Sequence, residues 1–138
     1  MTSVAIVILN YNRCDLLRKY LPAIIEHSPH ASIVVADNGS KDGSADMVEK
    51  EFPSIRVIRI AINLGFCGGY NTALRQIDAD YYVLLNSDVE VTAGWVEPLQ
   101  SILDHQPQVA AVQPKILSLT ERHLFEYAGA GGGLIDRL

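Results

Sequence analysis

The segment Tyr81-Tyr82-Val83-Leu84-Leu85-Asn86-Ser87-Asp88 constrains this chain more than any other, because an apolar run stops abruptly at an amide, a hydroxyl and a carboxylate. An unbroken apolar run of this length suits a strand covered on both faces, as in a parallel sheet flanked by helices. Such sheets gather ligands at the carboxyl ends of their strands, which is where Asn86, Ser87 and Asp88 stand. The same residue types also favour an Asx-type turn after a core strand, so this segment alone leaves site and turn both open.

The pattern repeats along the chain. Residues 4–9, rich in β-branched side chains, end in Asn10-Tyr11-Asn12-Arg13, and residues 32–36 end in Asp37-Asn38-Gly39-Ser40-Lys41-Asp42-Gly43-Ser44. Both read as strands followed by polar turns. Between them Leu16, Leu17, Tyr20, Leu21, Ile24 and Ile25 recur at helical spacing after Asp15 as N-cap, with Pro22 set to kink the helix or delay its start. A second helix is expected over 45–51 and a third strand over 55–60, where Arg56 and Arg59 interleave and mark a wet face or a sheet edge.

The stretch Asn63-Leu64-Gly65-Phe66-Cys67-Gly68-Gly69-Tyr70-Asn71 reads as a glycine-rich loop that lets a ligand or another backbone approach closely. Tyr70, Ala73, Leu74 and Ile77 then mark an amphipathic helix, Tyr70 being a core residue. After the strand of residues 81–85, Trp95, Val96, Leu99, Ile102 and Leu103 make a further helix with Pro98 in its first turn, and residues 109–116 a further strand. Strict alternation of strand and helix gives an α/β class, a Rossmann-like, mostly parallel sheet with right-handed crossovers and helices on its faces.

Composition excludes several functions. A net charge of −5 and a pI near 5.2 argue against nucleic acid, which requires a basic face. No apolar stretch approaches the roughly 20 residues of a membrane span, and Met1-Thr2-Ser3 offers no basic region of a secretory signal. Cys14 and Cys67 lack C-x-x-C spacing and fit a reducing compartment as small hydrophobes. His27, His30, His105 and His123 show no ligand spacing. A dinucleotide-binding oxidoreductase would need G-x-G-x-x-G after the first strand, where Asn10-Tyr11-Asn12-Arg13 stands instead.

Taken together, Asn10-Tyr11-Asn12-Arg13, Asp37-Asn38-Gly39-Ser40-x-Asp42-Gly43-Ser44, Asn63-Leu64-Gly65-Phe66-x-Gly68-Gly69-x-Asn71 and Leu84-Leu85-Asn86-Ser87-Asp88 resemble, in order, the family 2 glycosyltransferases of GT-A fold. The resemblance is nearest to the bacterial rhamnosyl- and galactofuranosyl-transferase-like branch, where Asn-x-Asp often replaces Asp-x-Asp. It implies inverting transfer of a sugar from a UDP- or dTDP-sugar donor to the hydroxyl of a saccharide or lipid-linked saccharide acceptor in surface polysaccharide synthesis. The implied setting is the cytoplasm, with the inner face of the membrane as an option.

Carried over residue by residue, the resemblance puts Asp37 on the base or ribose, and Asn10, Tyr11, Asn12, Arg13, Asn38, Gly65, Gly68, Asn71, Asn86 and Ser87 around the nucleotide. Asp88 would hold Mg2+ or Mn2+ on the diphosphate. Asn86 departs from the stricter pattern, and an amide is a poorer ligand for a hard cation than a carboxylate. The acidic surround itself calls for a cation, since carboxylates crowding a diphosphate at ~4 Å repel by about 1 kcal/mol per unit charge pair in water and about 4 at an effective dielectric of 20. Lys41 and Asp42 read as solvated turn residues. The resemblance divides the chain into a nucleotide-sugar-binding domain, 1–116, and the start of an acceptor-side region, 117–138. The glycine run leading into Leu134 and Ile135 reads as a cut, with the general base beyond Leu138 and Glu121, Glu126 and Asp136 not nominated. Leu134, Ile135 and Leu138 would then promote self-association. A non-catalytic nucleotide-binding module of the same fold is the alternative reading.

Overall fold

The computed structural model of the chain describes residues 2–127, so the expectations placed on Leu134, Ile135, Asp136 and Leu138 lie outside the described residues. The chain divides into two compact units, Met1–Gly94 and Trp95–Leu138. In the first, strands β1 (Val4–Asn10), β2 (Ser32–Asn38), β3 (Arg56–Ile60) and β4 (Tyr81–Asn86) alternate with helices α1 (Cys14–Glu26), α2 (Ser44–Glu51) and α3 (Gly65–Leu74). All the strand pairs are parallel, and the sheet order is β3-β2-β1-β4. The order reverses between β1 and β4, which makes their carboxyl ends a topological switch point.

Two layers of side chains follow from the strand period of two. Ala5 and Val7 of β1, Val34 and Ala36 of β2 and Ile58 and Ile60 of β3 pack with Tyr70 and Ala73 of α3 and with Ile77. By alternation Ile6, Ile8 and Val35 point to the other face, where Leu17, Leu21 and Ile24 of α1 and Val48 of α2 are also fully buried. Each of the valine, leucine and isoleucine side chains among these stabilises the fold by about 1.5–3 kcal/mol through burial. Pro22 lies inside α1 on its exposed side, without an N–H for the carbonyl of Arg18.

Several expectations change. The strand that is covered on both faces is β1, whereas β4 lies at the sheet edge with Leu84 52% exposed, because the crossover by α3 leaves β4 with one neighbour among the described residues. The glycine-rich stretch is not a loop before a helix but the first turns of α3 itself. In the second unit, α4 spans Val96–His105 with Pro98 in its first turn. The strand expected over 109–116 shrinks to β5 (Ile116–Leu117), paired antiparallel with β6 (Phe125–Tyr127). Val109 to Lys115 contain Gln113-Pro114, and proline lacks the donor a central strand needs. The edge expected for the third strand is observed: β3 ends the sheet, and Arg59 binds Asp46 at 2.6 Å and Glu49 at 2.7 Å on α2.

Two side chains pin the ends of this frame. Ser3 donates its N–H and its hydroxyl to Asp80 Oδ2 at 2.7 and 2.8 Å, fastening the start of β1 to the start of β4. At the other end Asp42 accepts from the N–H of Cys14 at 2.9 Å and from the N–H of Ser44 at 3.0 Å, and the Ser44 hydroxyl also donates to it. Cys14 and Ser44 are the first residues of α1 and α2, so one carboxylate caps two helices. Asp42 is therefore a structural tie rather than a free turn residue. Burial pushes its carboxyl up, but the hydrogen bonds from Ser44 and Cys14 outweigh this and hold it below the usual range.

Asp42→Ala should lower the unfolding free energy by about 1–2 kcal/mol in urea titration at neutral pH. Because the folded carboxyl is more acidic than the unfolded one, near pH 4, the stabilisation is complete above that value and disappears as pH falls through the folded one. The native and mutant melting temperatures should therefore converge below about pH 4.

Candidate functional site

At the switch point the carboxyl ends of the strands and the turns after them surround a groove of about 300 Å³. Leu9, Tyr11 and Arg13 supply one wall, Asn86, Ser87 and Asp88 another, and Asn38, Asn63, Gly65 and Phe66 the third. Arg13 and Asp88 give the groove one cation and one carboxylate, both exposed. A larger recess of about 390 Å³ opens at the amino ends of the strands, around Ser28, Ile55, Arg56 and Asp78. It gathers none of the polar strand ends and is the less suitable site for a ligand.

The floor of the groove is built from amides. Asn38, the last residue of β2, is buried and donates from Nδ2 to Asn63 Oδ1 and to the Gly65 carbonyl, both at 3.0 Å, while its Oδ1 accepts from the Leu64 N–H at 3.0 Å. The Gly65 N–H in turn donates to Asn63 Oδ1 at 2.8 Å. These bonds shape the turn that opens α3 and set Gly65, at φ +70°, on the rim. Gly69 sits underneath, where an added Cβ would come within 2.7 Å of Leu9 Cδ1 and 3.0 Å of Asn38 Nδ2. Gly68 faces Leu64 in the same way, at 2.9 Å. The glycines of this stretch thus let a helix pack close to the ends of β1 and β2, and only Gly65 lines the groove.

Behind the groove runs a second network. Asp37 is 5% exposed; its Oδ1 accepts from Asn10 Nδ2 at 3.0 Å and its Oδ2 from the Ser40 N–H at 3.1 Å. Ser40 Oγ accepts from Asn10 Nδ2 at 3.1 Å and from the Asn12 N–H at 2.9 Å. Asn12 takes a left-handed φ of 52°, which Asn tolerates, and its Oδ1 accepts from the Lys41 N–H at 2.8 Å. The turns after β1 and β2 are therefore laced together, and Tyr11 and Arg13 are left projecting at the rim. Tyr70 closes the base, its hydroxyl donating to the Leu85 carbonyl at 3.1 Å and its ring meeting Phe66 edge-on at 4.9 Å. Burial pushes the Tyr70 phenol up to about 12, so it stays a donor at neutral pH.

The structure brings Tyr11, Arg13, Asn38, Gly65, Asn86, Ser87 and Asp88 together around one groove. It does not place the others there: Asp37, expected on the base or ribose, is 5% exposed and lies outside the groove lining. Asn10 is fully buried, since as the register partner of Asp37 its side chain is turned onto that carboxylate. Asn12 uses its amide to join two turns, Gly68 faces Leu64, and Asn71 is exposed on α3 outside the groove lining. Four contributors were not singled out from the sequence: Leu9, Asn63 and Phe66 on the groove walls, and Ser40 in the network behind it. The signal for Asn63 was the Asn-x-Gly step that opens a helix, and the signal for Phe66 was an apolar side chain between glycines, 61% exposed.

Gly39 fixes how the walls meet. Its φ is +79°, and an added Cβ would lie 2.7 Å from the Ile62 carbonyl carbon and 2.8 Å from the Asn63 N, both backbone atoms. Gly39→Ala should cost on the order of 2 kcal/mol or more, since left-handed strain adds to a contact that cannot relax by rotating a side chain. Chemical denaturation of the mutant beside the native chain measures it, and an unchanged midpoint would contradict the close approach.

The sequence pattern of the family described as Glycosyl transferase family 2 matches residues 5–126. The chain is 26% identical over 129 residues to an N-acetylglucosaminyl-diphospho-decaprenol L-rhamnosyltransferase of Mycobacterium tuberculosis, covering 84% of this chain and 42% of the relative. It is 27% identical over 128 residues to a chondroitin synthase of Escherichia coli, covering 88% of this chain and 18% of the relative. The chain thus spans less than half the length of either relative. A mannosyltransferase from Pyrobaculum calidifontis, solved in complex with GDP-Man and Mn2+, superposes with a TM-score of 0.61 at 24% identity over 67% of this chain and 29% of its own. TarS of S. aureus superposes with a TM-score of 0.65 at 17% identity over 83% of this chain and 24% of its own. With the parallel sheet, the groove at its switch point and a sequence match over nearly its whole length, this chain belongs to glycosyl transferase family 2 and has the GT-A fold.

Proposed function

We propose that the unit Met1–Gly94 binds a nucleotide-diphosphate sugar, a UDP- or dTDP-sugar, as donor for inverting transfer to an acceptor hydroxyl. The observation that carries this reading is the groove on whose walls Arg13 and Asp88 stand exposed, with the buried Asp37 carboxylate, outside the lining itself, held as an acceptor beside it. A carboxylate with a donor already on each oxygen keeps lone pairs free only for further donors. It suits the ring N–H of uracil or thymine, or a ribose hydroxyl, and disfavours the acceptor nitrogen that cytosine and adenine present on the same edge. Tyr11 and Phe66 offer exposed aromatic surface at the rim for a base or sugar ring.

A divalent cation fits this donor set in one mode. Among the described residues no group of three His, Cys, Asp or Glu side chains converges, so the chain does not build a cage. Asp88 supplies one carboxylate at the groove, which is the manner in which Mg2+ is held when phosphates and water complete its shell. Mn2+, another oxygen-preferring ion, suits the same set. When bound, the ion offsets the diphosphate charge and assists its departure. Arg13 adds a fixed cation to the same groove, and Asn86 and Ser87 add hydrogen-bonding groups at the end of β4.

The acceptor in this reading is a saccharide or a lipid-linked saccharide, in line with the lipid-linked substrate named for the mycobacterial relative. Among the described residues no helix is long and apolar enough to cross a membrane.

Calorimetric titration with UDP should give tighter binding with Mn2+ than with a chelator, and Asp88→Ala should remove that difference. Equal affinity under both conditions would rule out the role of Asp88. Asp37→Ala should weaken binding roughly 10- to 100-fold, the loss of a charge-assisted hydrogen bond of about 1.5–3 kcal/mol. An unchanged dissociation constant would return Asp37 to a purely structural role.

A further inference from the structure

We propose that Asn10 is a positioning residue for nucleotide binding: buried beneath the groove, its amide holds the Asp37 carboxylate in the orientation in which it accepts from the ligand. The inference rests on the reading of Asp37 as a nucleotide contact. It begins from an imbalance in the Asn10 side chain. Nδ2 uses both hydrogens, on Asp37 Oδ1 at 3.0 Å and on Ser40 Oγ at 3.1 Å, whereas Oδ1 is buried with no hydrogen-bond partner among the described residues. The reversed amide would set an oxygen against the carboxylate, so the orientation is determined.

A buried acceptor left without a partner opposes folding, and an apolar side chain of the same size would avoid that cost. Losing the amide would in turn leave the buried Asp37 carboxylate short of a donor, so Asn10 both ties β1 to β2 and holds that carboxylate. What the amide does provide is a donor on the one carboxylate oxygen that the Ser40 N–H does not reach. Two donors on different oxygens, one from each neighbouring turn or strand, fix the carboxylate plane. Turning it towards or away from the groove breaks both bonds.

The charged groups around this pair are otherwise engaged or distant. On β3, Arg59 is the register partner of Asp37 but is bound to Asp46 and Glu49 of α2. Asp42 is held by the amides that open α1 and α2, Tyr70 of α3 by the Leu85 carbonyl, and Lys41 meets the network only through its backbone N–H. Arg13 and Asp88 face the groove itself, and Cys14 and Cys67 stand in the first turns of α1 and α3. His27 and His30 follow the C-terminus of α1, at the opposite end of the sheet.

Asn10→Asp and Asn10→Leu test the proposal in opposite ways. The aspartate places a second carboxyl beside Asp37, and such a pair retains one proton well above the ordinary carboxylate range. While the proton is held, Asp37 still receives a hydrogen bond; when it is lost, the donor is gone and the charges repel. With UDP-glucose and Mg2+ as the probe, since the diester phosphates do not titrate here, Asn10→Asp should bind within about threefold of the native chain at pH 5.5 and at least tenfold more weakly than it at pH 8. Asn10→Leu should weaken binding about tenfold at both pH values and also lower the melting temperature, since Asp37 Oδ1 loses its donor. A role in packing alone would leave the Asn10→Asp to native ratio unchanged between the two pH values, and that result would overturn the proposal, as would native affinity in Asn10→Leu. If Asn10→Asp does not fold at the higher pH, Asn10→Leu decides. Failure of the native chain to bind, or of Asp37→Ala to weaken binding, would instead count against the reading of the groove; native binding lost in Asp37→Ala but kept in Asn10→Leu would count against this inference alone.

Discussion

The parallel pairing of β1 with two neighbours at once is the constraint on which the rest of this fold depends. β1 is bonded to β2 on one side and to β4 on the other, and its apolar side chains are buried on both faces. A central strand of this kind has no tolerance for a register slip, since a shift of one residue would exchange Ala5 and Val7 with Ile6 and Ile8 between two layers of different depth. Ser3 and Asp80 fasten one end of the β1–β4 register, and Asn10 with Asp37 fastens the β1–β2 register at the other.

The site follows from the same pairing. Because the connection from β1 turns to one face of the sheet and the sheet order reverses beyond it, the ends of β1 and β4 diverge and leave the groove between them. Polar residues at strand ends are cheap to place there, since the backbone beyond the last sheet bond already needs partners. Asn38 answers the donors of the turn before α3, Asp42 the first amides of α1 and α2, and Asp37 the first amide of its own turn. Most of the polar side chains near this site therefore bond backbone, and the groove keeps a small remainder, Arg13, Asn86, Ser87 and Asp88, turned outward.

This division explains why the motif residues do not behave alike. Motif spacing alone cannot separate a side chain that meets a ligand from one that holds its neighbour in place. Asn10 and Asn12 belong to the same four-residue turn as Tyr11 and Arg13, yet the first two are spent on Asp37, Ser40 and Lys41 while the second two reach the rim. The glycines divide in the same way, with Gly39, Gly68 and Gly69 serving close packing and Gly65 the groove.

Strand period, helical period and the polar stops after each apolar run were enough to establish the α/β class, the order of the elements in Met1–Gly94 and the end of the sheet at which polar strand ends gather around a groove, because those signals are local. The edge position of β3 was legible too, from Arg56 and Arg59. The edge position of β4 was not, because an apolar run looks the same whether one neighbour or two will cover it, and the neighbour is chosen by crossovers far away in sequence. Helical structure through Gly65 to Gly69 was likewise hidden, since glycine disfavours a helix by itself and is retained here by close approach to Leu9 and Asn38. Which amides face the groove and which face Asp37 was decided only in three dimensions, where each buried donor and acceptor takes the nearest partner that geometry allows.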